Sequence, residues 1–457
     1  MAISVRQRQA SFNPAAFETF RFLTREIDDR GRVILRYGLD QAIEFVEEFD
    51  LPVRERLSPA ARNSVDGLLS LLHWVAGVSY FKAAAPPKVG CLMGAPPPAT
   101  ATLLDALYSE GLGEFAYKNR LSSVPRPVFP IGPLRERLPV VEDQSQPRVL
   151  VPVGGGKDSA VAVEVVRRSG CELALFSMGD APPIARTAAV AGLPRLICTR
   201  RLDPGLGALN EVGALNGHIP ITAIVSCVAM LTAALNGFSS IAMANERSAS
   251  YGNVVWDGID VNHQFSKGLR AERLLRPAVA EVAPGLELFS VLRPASELAI
   301  ARAFARMKQY HHAFTSCNAI FRLDPSLRGT SWCCDCPKCR FVFLVLAPFS
   351  DPAHLRNVFG CDLLDDEAQF DGFALLTATG GHKPFECVGE EQESLAAVRM
   401  LATQARWREH RVVRRLVTEV LPRFSMDVGD PVRVLTLSGE HDVPDYLLRD
   451  VTALLGT

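Results

Sequence analysis

Short apolar runs alternate with helical stretches through the middle of the chain, and that alternation sets the expected fold. Val149 to Val153 is an apolar run suited to a strand buried on both faces. A glycine cluster follows, then a helix from about Ser159 to Ser169 with apolar residues at helical spacing. Cys171 to Ser177 reads as the next strand, Ile184 to Ala191 as a helix and Leu196 to Thr199 as a third strand. Ile219 to Asn245 carries no Lys, Arg, Asp or Glu, but Asn236-Gly237 interrupts it and Ser and Thr recur. The pattern predicts a buried helix, Thr222 to Leu235, stopped by Asn-Gly, then a buried strand, Ser239 to Ala244, rather than a membrane span. Strand, helix, strand, helix implies an α/β fold with a doubly wound parallel sheet over residues 148–345. Residues 1–147 form an α+β region with a strand-like Val33 to Tyr37 and helices around Ala60 to Tyr80 and Thr100 to Glu110. A polar linker, Glu142 to Pro147, ends it. Residues 346–457 form a C-terminal extension that is helical from Glu393 to Leu421 and otherwise short extended pieces.

Composition narrows the function classes. At 457 residues the chain is long enough for two or three domains, and 48% hydrophobic with 22% charged residues is globular. The 49 basic and 50 acidic residues balance, so no basic excess points to nucleic acid or an anionic membrane. The N-terminus lacks the apolar core of a signal peptide. Eleven cysteines, four of them between Cys333 and Cys339, suit a reduced, cytoplasmic compartment and a metal site rather than a disulfide framework.

The glycines lie in Val153-Gly154-Gly155-Gly156-Lys157-Asp158-Ser159. Between a strand and a helix, such a turn lets backbone N–H groups close around phosphate oxygens. Ser159 opens the helix and offers a hydroxyl. Asp158 can hold magnesium against the phosphates, and Lys157 can neutralise charge. A plain tight turn is the alternative. The spacing is neither a Walker loop nor a dinucleotide fingerprint. It resembles the PP-loop signature S-G-G-x-D-S of the adenine nucleotide α-hydrolase-like enzymes, with Gly154 in place of the leading Ser. That resemblance implies ATP bound through its pyrophosphate portion, with Met178 and Gly179, at the end of the second strand, near adenine.

Cys333, Cys336 and Cys339 stand in C-x-x-C-x-x-C spacing, with Cys317 upstream. Four thiolates so placed suit tetrahedral zinc in a closed, structural site, leaving Cys334 as the spare; an iron–sulfur cluster or free thiols are the alternatives. Asn245, Glu246, Arg247 and Ser248 follow a buried strand, where doubly wound sheets bind ligands. Asn262, His263, Gln264 and Lys267 follow shortly. Arg293 and Arg276 precede or follow prolines and suit anion contacts, and Ser296 is a natural helix N-cap. His382, Lys383 and Cys387 share a Gly- and Pro-marked loop.

Together these segments resemble the UDP-N-acetyl-α-D-muramoyl-L-alanyl-L-glutamate epimerase family. The resemblance rests on GGGKDS, ANERS, the Asn262 to Lys267 run, WC-x-DCPKCRFVFL, HKPFECVG, and the Leu35 to Asp40 and Gly113 to Asn119 pieces. It implies an isomerase of peptidoglycan synthesis that uses ATP and magnesium, releases AMP and pyrophosphate, and inverts the L-Glu of a UDP-MurNAc dipeptide. Adenylating the carboxylate would acidify the α-hydrogen, and a base and an acid on opposite faces would complete inversion. Cys387, His263, Lys267, His382 and Lys383 are the candidates for that pair. The rivals are a PP-loop enzyme modifying a nucleobase or tRNA, and a nucleotide-binding module that does not turn ATP over. Oligomeric state is open.

Overall fold

A computed structural model describes residues 12–53, 59–134, 147–322, 326, 328–379, 381 and 383–456. Eleven strands are present among the described residues: β1 (Thr19–Ile27), β2 (Arg32–Leu39), β3 (Ile43–Asp50), β4 (Lys88–Cys91), β5 (Arg148–Pro152), β6 (Glu172–Met178), β7 (Arg195–Arg201), β8 (Ser240–Met243), β9 (Val254–Trp256), β10 (Ile259–Val261) and β11 (Glu287–Ser290). Nine of them form one sheet in the order β11-β8-β5-β6-β7-β3-β2-β1-β4, and β9 and β10 make a separate hairpin.

The five strands from β11 to β7 are mutually parallel. The chain leaves β5 toward β6 and β7, then returns to add β8 and β11 on the other side of β5. The gap between the loops after β5 and β8 is therefore the switch point of the sheet, where open α/β folds bind ligands. Strand β5 faces two cores at once. Val149 and Val151 pack into one apolar cluster, with helices Lys157–Arg168, Glu297–Ala305 and Pro337–Leu346, while Leu150 packs into the other, with helices Pro59–Ala76, Pro98–Tyr108, Ile221–Asn236 and Leu269–Val282. The expected strand and helix positions from Val149 to Ala244 are all present, and Gly237 ends the uncharged helix at φ +72°.

The N-terminal strands extend this same sheet. Alternate residues of β1, β2 and β3 are buried, among them Phe20, Phe22, Leu35, Tyr37, Phe45 and Phe49, as strands with one covered face require. Strand β3 runs antiparallel to β7 and is pinned there by Arg200, whose Nε lies 2.6 Å from Oε1 of the fully buried Glu47. Burial raises the Glu47 carboxyl, opposed by the Arg200 charge and hydrogen bond. Removing either partner would strand a buried charge, at a cost of roughly 3–5 kcal/mol.

The C-terminal extension supplies part of the first core, through Leu395, Trp407, Leu447 and Leu455. One expectation there fails. Glu393 to Leu421 is not a single helix: Glu391–Thr403 ends, and a new helix begins at Arg411. The break turns the large Trp407 inward, fully buried, with its indole N–H donated to the Ser350 carbonyl, and Gln404 Nε2 donated to the Pro348 carbonyl. Burying that ring in a turn outweighs the helical propensity of the stretch. The expected linker, Glu142 to Pro147, lies outside the described residues except for Pro147. Among the described residues no helix is long and apolar enough to cross a membrane.

Candidate active site

The loop after β5 turns through Gly155 at φ +81°. A Cβ on Gly155 would stand 2.6 Å from the Pro183 carbonyl carbon and 2.7 Å from the Ile184 nitrogen, so both conformation and space require glycine. A Cβ on Gly154 meets nothing within 4 Å. Gly156 caps the helix Lys157–Arg168, and Ser159 Oγ donates to the Gly156 carbonyl at 3.0 Å. Lys157 turns inward. It is 1% exposed and pairs with both Asp158 and Glu297, whose negative charges hold its ammonium above the ordinary lysine value against the cost of burial. Met178 and Gly179 end the neighbouring β6, and the Gly179 N–H donates to the Cys198 carbonyl at 2.7 Å.

Beyond β8, Asn245 donates to Ser290 Oγ at 2.9 Å and Glu246 is buried. Arg247 reaches away, to the Val434 and Thr436 carbonyls, and Ser248 is fully buried. Arg293, 1% exposed, is engaged by the protein itself: it donates to the carbonyls of Glu246 and Lys267 at 2.5 Å and to Glu272 at 2.9 Å. Its guanidinium thus braces the Glu246 and Lys267 segments from within. Arg276 lies at the surface against Asp442, and Ser296 is the N-cap expected of it, accepting from the Ala299 N–H.

The second half of the site gathers residues far apart in sequence. Asn253 accepts from the His263 N–H at 3.0 Å and donates to the Pro384 carbonyl at 2.9 Å, and Gln264 donates to the Val388 carbonyl at 3.3 Å. These bonds lay the Lys383–Gly389 loop over the Asn262–Lys267 turn. They bring Cys387 onto His263, which it hydrogen-bonds. His263 Nδ1 is 2.5 Å from Glu114 Oε2, and Lys118 Nζ is 2.6 Å from the other Glu114 oxygen. Burial opposes protonation of His263, but the hydrogen bonds to Cys387 and Glu114 push it up to about 9. Burial would raise the Cys387 thiol. The charges of Lys267, Lys338 and His263 instead hold it well below the ordinary value. The two shifts act in the same sense, so the surroundings favour an ionised Cys387 beside a charged His263. His218 packs against His263 with the rings tilted and 4.2 Å between centroids, and burial, then His263, push it down to about 4.

The sequence candidates divide clearly. Cys387, His263 and Lys267 come together. Lys383 is buried and its charge acts on Glu390, while the charges of Lys267 and Lys338 act on Cys387. His382 lies outside the described residues. Sequence reading missed Glu114, His218, Lys338 and Glu297 as site groups. Glu114 sits in the Gly113 to Asn119 piece already singled out, but nothing local marks its carboxylate as a histidine partner. Glu393 accepts from the Glu297 and Glu390 N–H groups and joins the carboxylates behind the glycine loop.

Among the described residues, two sets of donor atoms gather closely enough for a metal, the atoms of each lying within 4.8 Å of one another. Cys317, Cys333, Cys336 and Cys339 form one, and these four sulfurs could hold a metal such as zinc. Cys334 takes φ +58° and turns its sulfur out of the set, 3.3 Å from the Phe359 carbonyl, so it is the spare. Glu114, His218 and His263 form the other. There the Lys118 ammonium already occupies the Glu114 carboxylate, which disfavours a second cation.

The family model for the MurL N-terminal domain matches residues 11–291, and that for the MurL C-terminal domain matches residues 313–428. The chain is 46% identical over 440 residues to the UDP-N-acetyl-alpha-D-muramoyl-L-alanyl-L-glutamate epimerase of a Micromonospora strain, covering 93% of this chain and 96% of that protein. It is 40% identical over 447 residues to the protein of that name from Xanthomonas oryzae pv. oryzae, covering 97% and 99%. The halves of the site come from both matched regions, Glu114 and His263 from the first and Cys387 from the second. The chain belongs to the MurL family.

Proposed function

We propose that the chain is an ATP-dependent epimerase of peptidoglycan precursor synthesis. It would convert UDP-MurNAc-L-Ala-L-Glu to the D-Glu epimer, with AMP and pyrophosphate as co-products and one water consumed in hydrolysing the acyl-adenylate. One observation carries the reading. Against the cost of burial, the Lys267 ammonium is favoured by the charges of Cys387, Glu246, Asp158 and Glu297 together, which supports one site shared by the glycine loop and the thiol. A loop suited to a nucleotide and a base suited to an α-hydrogen are thereby set against the same substrate group.

ATP supplies the adenylyl group that removes the charge of the glutamyl carboxylate and makes the adjacent α-hydrogen acidic. The chain's residues do the rest. The glycine turn, taken as a PP-loop, receives phosphate oxygens on its N–H groups, and Asp158 is the carboxylate that would hold magnesium there. Lys267 neutralises charge growing on the activated carbonyl oxygen. Cys387 takes the α-proton as thiolate, and His263 keeps it ionised while Glu114 orients the ring. The return proton must come from the opposite face of the α-carbon, and among the sequence candidates Lys267 is assigned that role. The cysteine set, closed by four sulfurs, suits a structural zinc that fixes the Cys317 and Lys338 segments. The test is AMP and pyrophosphate release with the dipeptide substrate, coupled to chiral analysis of the glutamate. Asp158→Ala is expected to lower AMP release at least ~100-fold. AMP release near that of the wild type from a folded variant would remove the PP-loop assignment.

A further inference from the structure

A second concavity, of about 560 Å³, opens beside the glycine loop and takes no part in the chemistry above. Arg186, Lys308, His311, His312 and His354 line it, and no Asp or Glu does so among the described residues. In a chain with balanced charge such a one-signed wall is a selective feature. Its cations are available. Arg186 uses only Nε, donated to the Ala313 carbonyl at 3.2 Å, and neither its terminal nitrogens nor Lys308 has a carboxylate partner among the described residues. His311 Nε2 lies 3.0 Å from the Phe304 carbonyl and must carry its proton there, so His311 Nδ1 accepts from His354 Nε2 at 2.6 Å. This fixes the orientation of the His354 ring in the wall of the groove. Burial lowers His311, and the nearby charges of His354, Lys308 and His312 act in the same direction, so these groups feel one another as an unneutralised cluster.

The groove is physically joined to the site. Thr315, in its wall, donates its N–H to the Gly155 carbonyl at 2.9 Å. Three residues on, Asn318 donates to Glu386, the neighbour of Cys387. Three residues reach at most about 11 Å. With the Asn318 and Glu386 side chains bridging the remainder, the groove and the thiol are linked by a short path, which suits a long ligand with a diphosphate in the groove and a carboxylate many bonds away at the thiol.

We propose that this groove seats the diphosphate of a nucleoside diphosphate sugar, the handle of the substrate whose glutamyl end reaches Cys387. The inference rests on the substrate reading above. The same phosphate chemistry occurs in ATP, so the test separates the two sources. The full chain and the Arg186→Ala/Lys308→Ala double variant, both substitutions at exposed positions, are titrated calorimetrically with UDP and separately with ATP. The expected result is UDP binding by the wild type, at least tenfold weaker in the variant, with ATP affinity retained. KM for the UDP-linked dipeptide should rise by the same factor. No UDP binding by the wild type, equal UDP affinity in the variant, or a loss confined to ATP would each overturn the proposal. UDP binding is measured without turnover, so failure of the epimerase reading shows separately, as absent D-Glu formation by the wild type.

Discussion

Glu114→Gln isolates the charge that supports His263. The side chains of His263 and Glu114 are 14% and 4% exposed, so water screens their interaction little. The rise of His263 from 6.5 to about 9 corresponds to roughly 3 kcal/mol in favour of the imidazolium. Cys387 and Glu114 contribute to it together. If Glu114 supplies near half, the substitution lowers the histidine by about one unit, and Lys118, left without its carboxylate, adds to the fall. The sign is fixed. A raised pKa favours the folded state fully below the unfolded value near 6.5 and loses that contribution as pH climbs through about 9. Below about 9 the imidazolium keeps Cys387 ionised, and above it the pair loses one partner. The alkaline limb of kcat/KM for epimerisation should therefore move about one unit toward neutral pH in the variant. Alkylation of Cys387 by iodoacetamide, followed against pH by mass spectrometry, should report the same displacement without turnover. A folded Glu114→Gln protein with both profiles unmoved would refute the relay.

Three further outcomes follow from the geometry. Cys387→Ala, with substrate in deuterated water, should still release AMP but incorporate little deuterium at the α-carbon and form little D-Glu; unchanged inversion would pass the base role to another group. Cys336→Ser should reduce zinc below the one ion per chain expected of four sulfurs and destabilise the fold, with elemental analysis and thermal unfolding as readouts. Iron with sulfide, or no metal in the wild type, would contradict it. Gly155→Ala should cost at least about 2 kcal/mol in denaturant unfolding, because φ +81° and the backbone of Pro183 and Ile184 both resist a Cβ, whereas Gly154→Ser, with nothing within 4 Å, should unfold as the wild type does.

Features written in local sequence were legible. The apolar run at β5, the glycine turn, the Gly237 stop and the Ser296 cap each depend on neighbours a few residues away, and all appear where their pattern places them. Cys334 as the odd cysteine followed from spacing. What escaped is long-range. No periodicity says that Glu48, Phe49 and Asp50 pair with Arg201, Arg200 and Thr199 to extend the main sheet. The Trp407 turn depends on a receiving cavity built from other elements. Cys387, Lys383 and His382 were legible as candidates sharing one loop, but Lys267, Lys338 and His263, whose charges bear on the thiol, are brought to it from elsewhere in the chain by the folded-back loop.

The thiolate's partners also impose an order on biosynthesis. Glu114 and His263 are 149 residues apart, and Cys387 emerges last. At ~5–20 residues per second, some tens of seconds separate translation of the first from the last. For the part of that interval after His263 is made, a nascent chain can hold a nucleotide loop and a paired Glu114–His263 with no thiol to serve. Until Cys387 is made, such a chain lacks the proposed base. Fragments that divide the chain between His263 and Cys387 should be inert singly and recover activity only on reassociation.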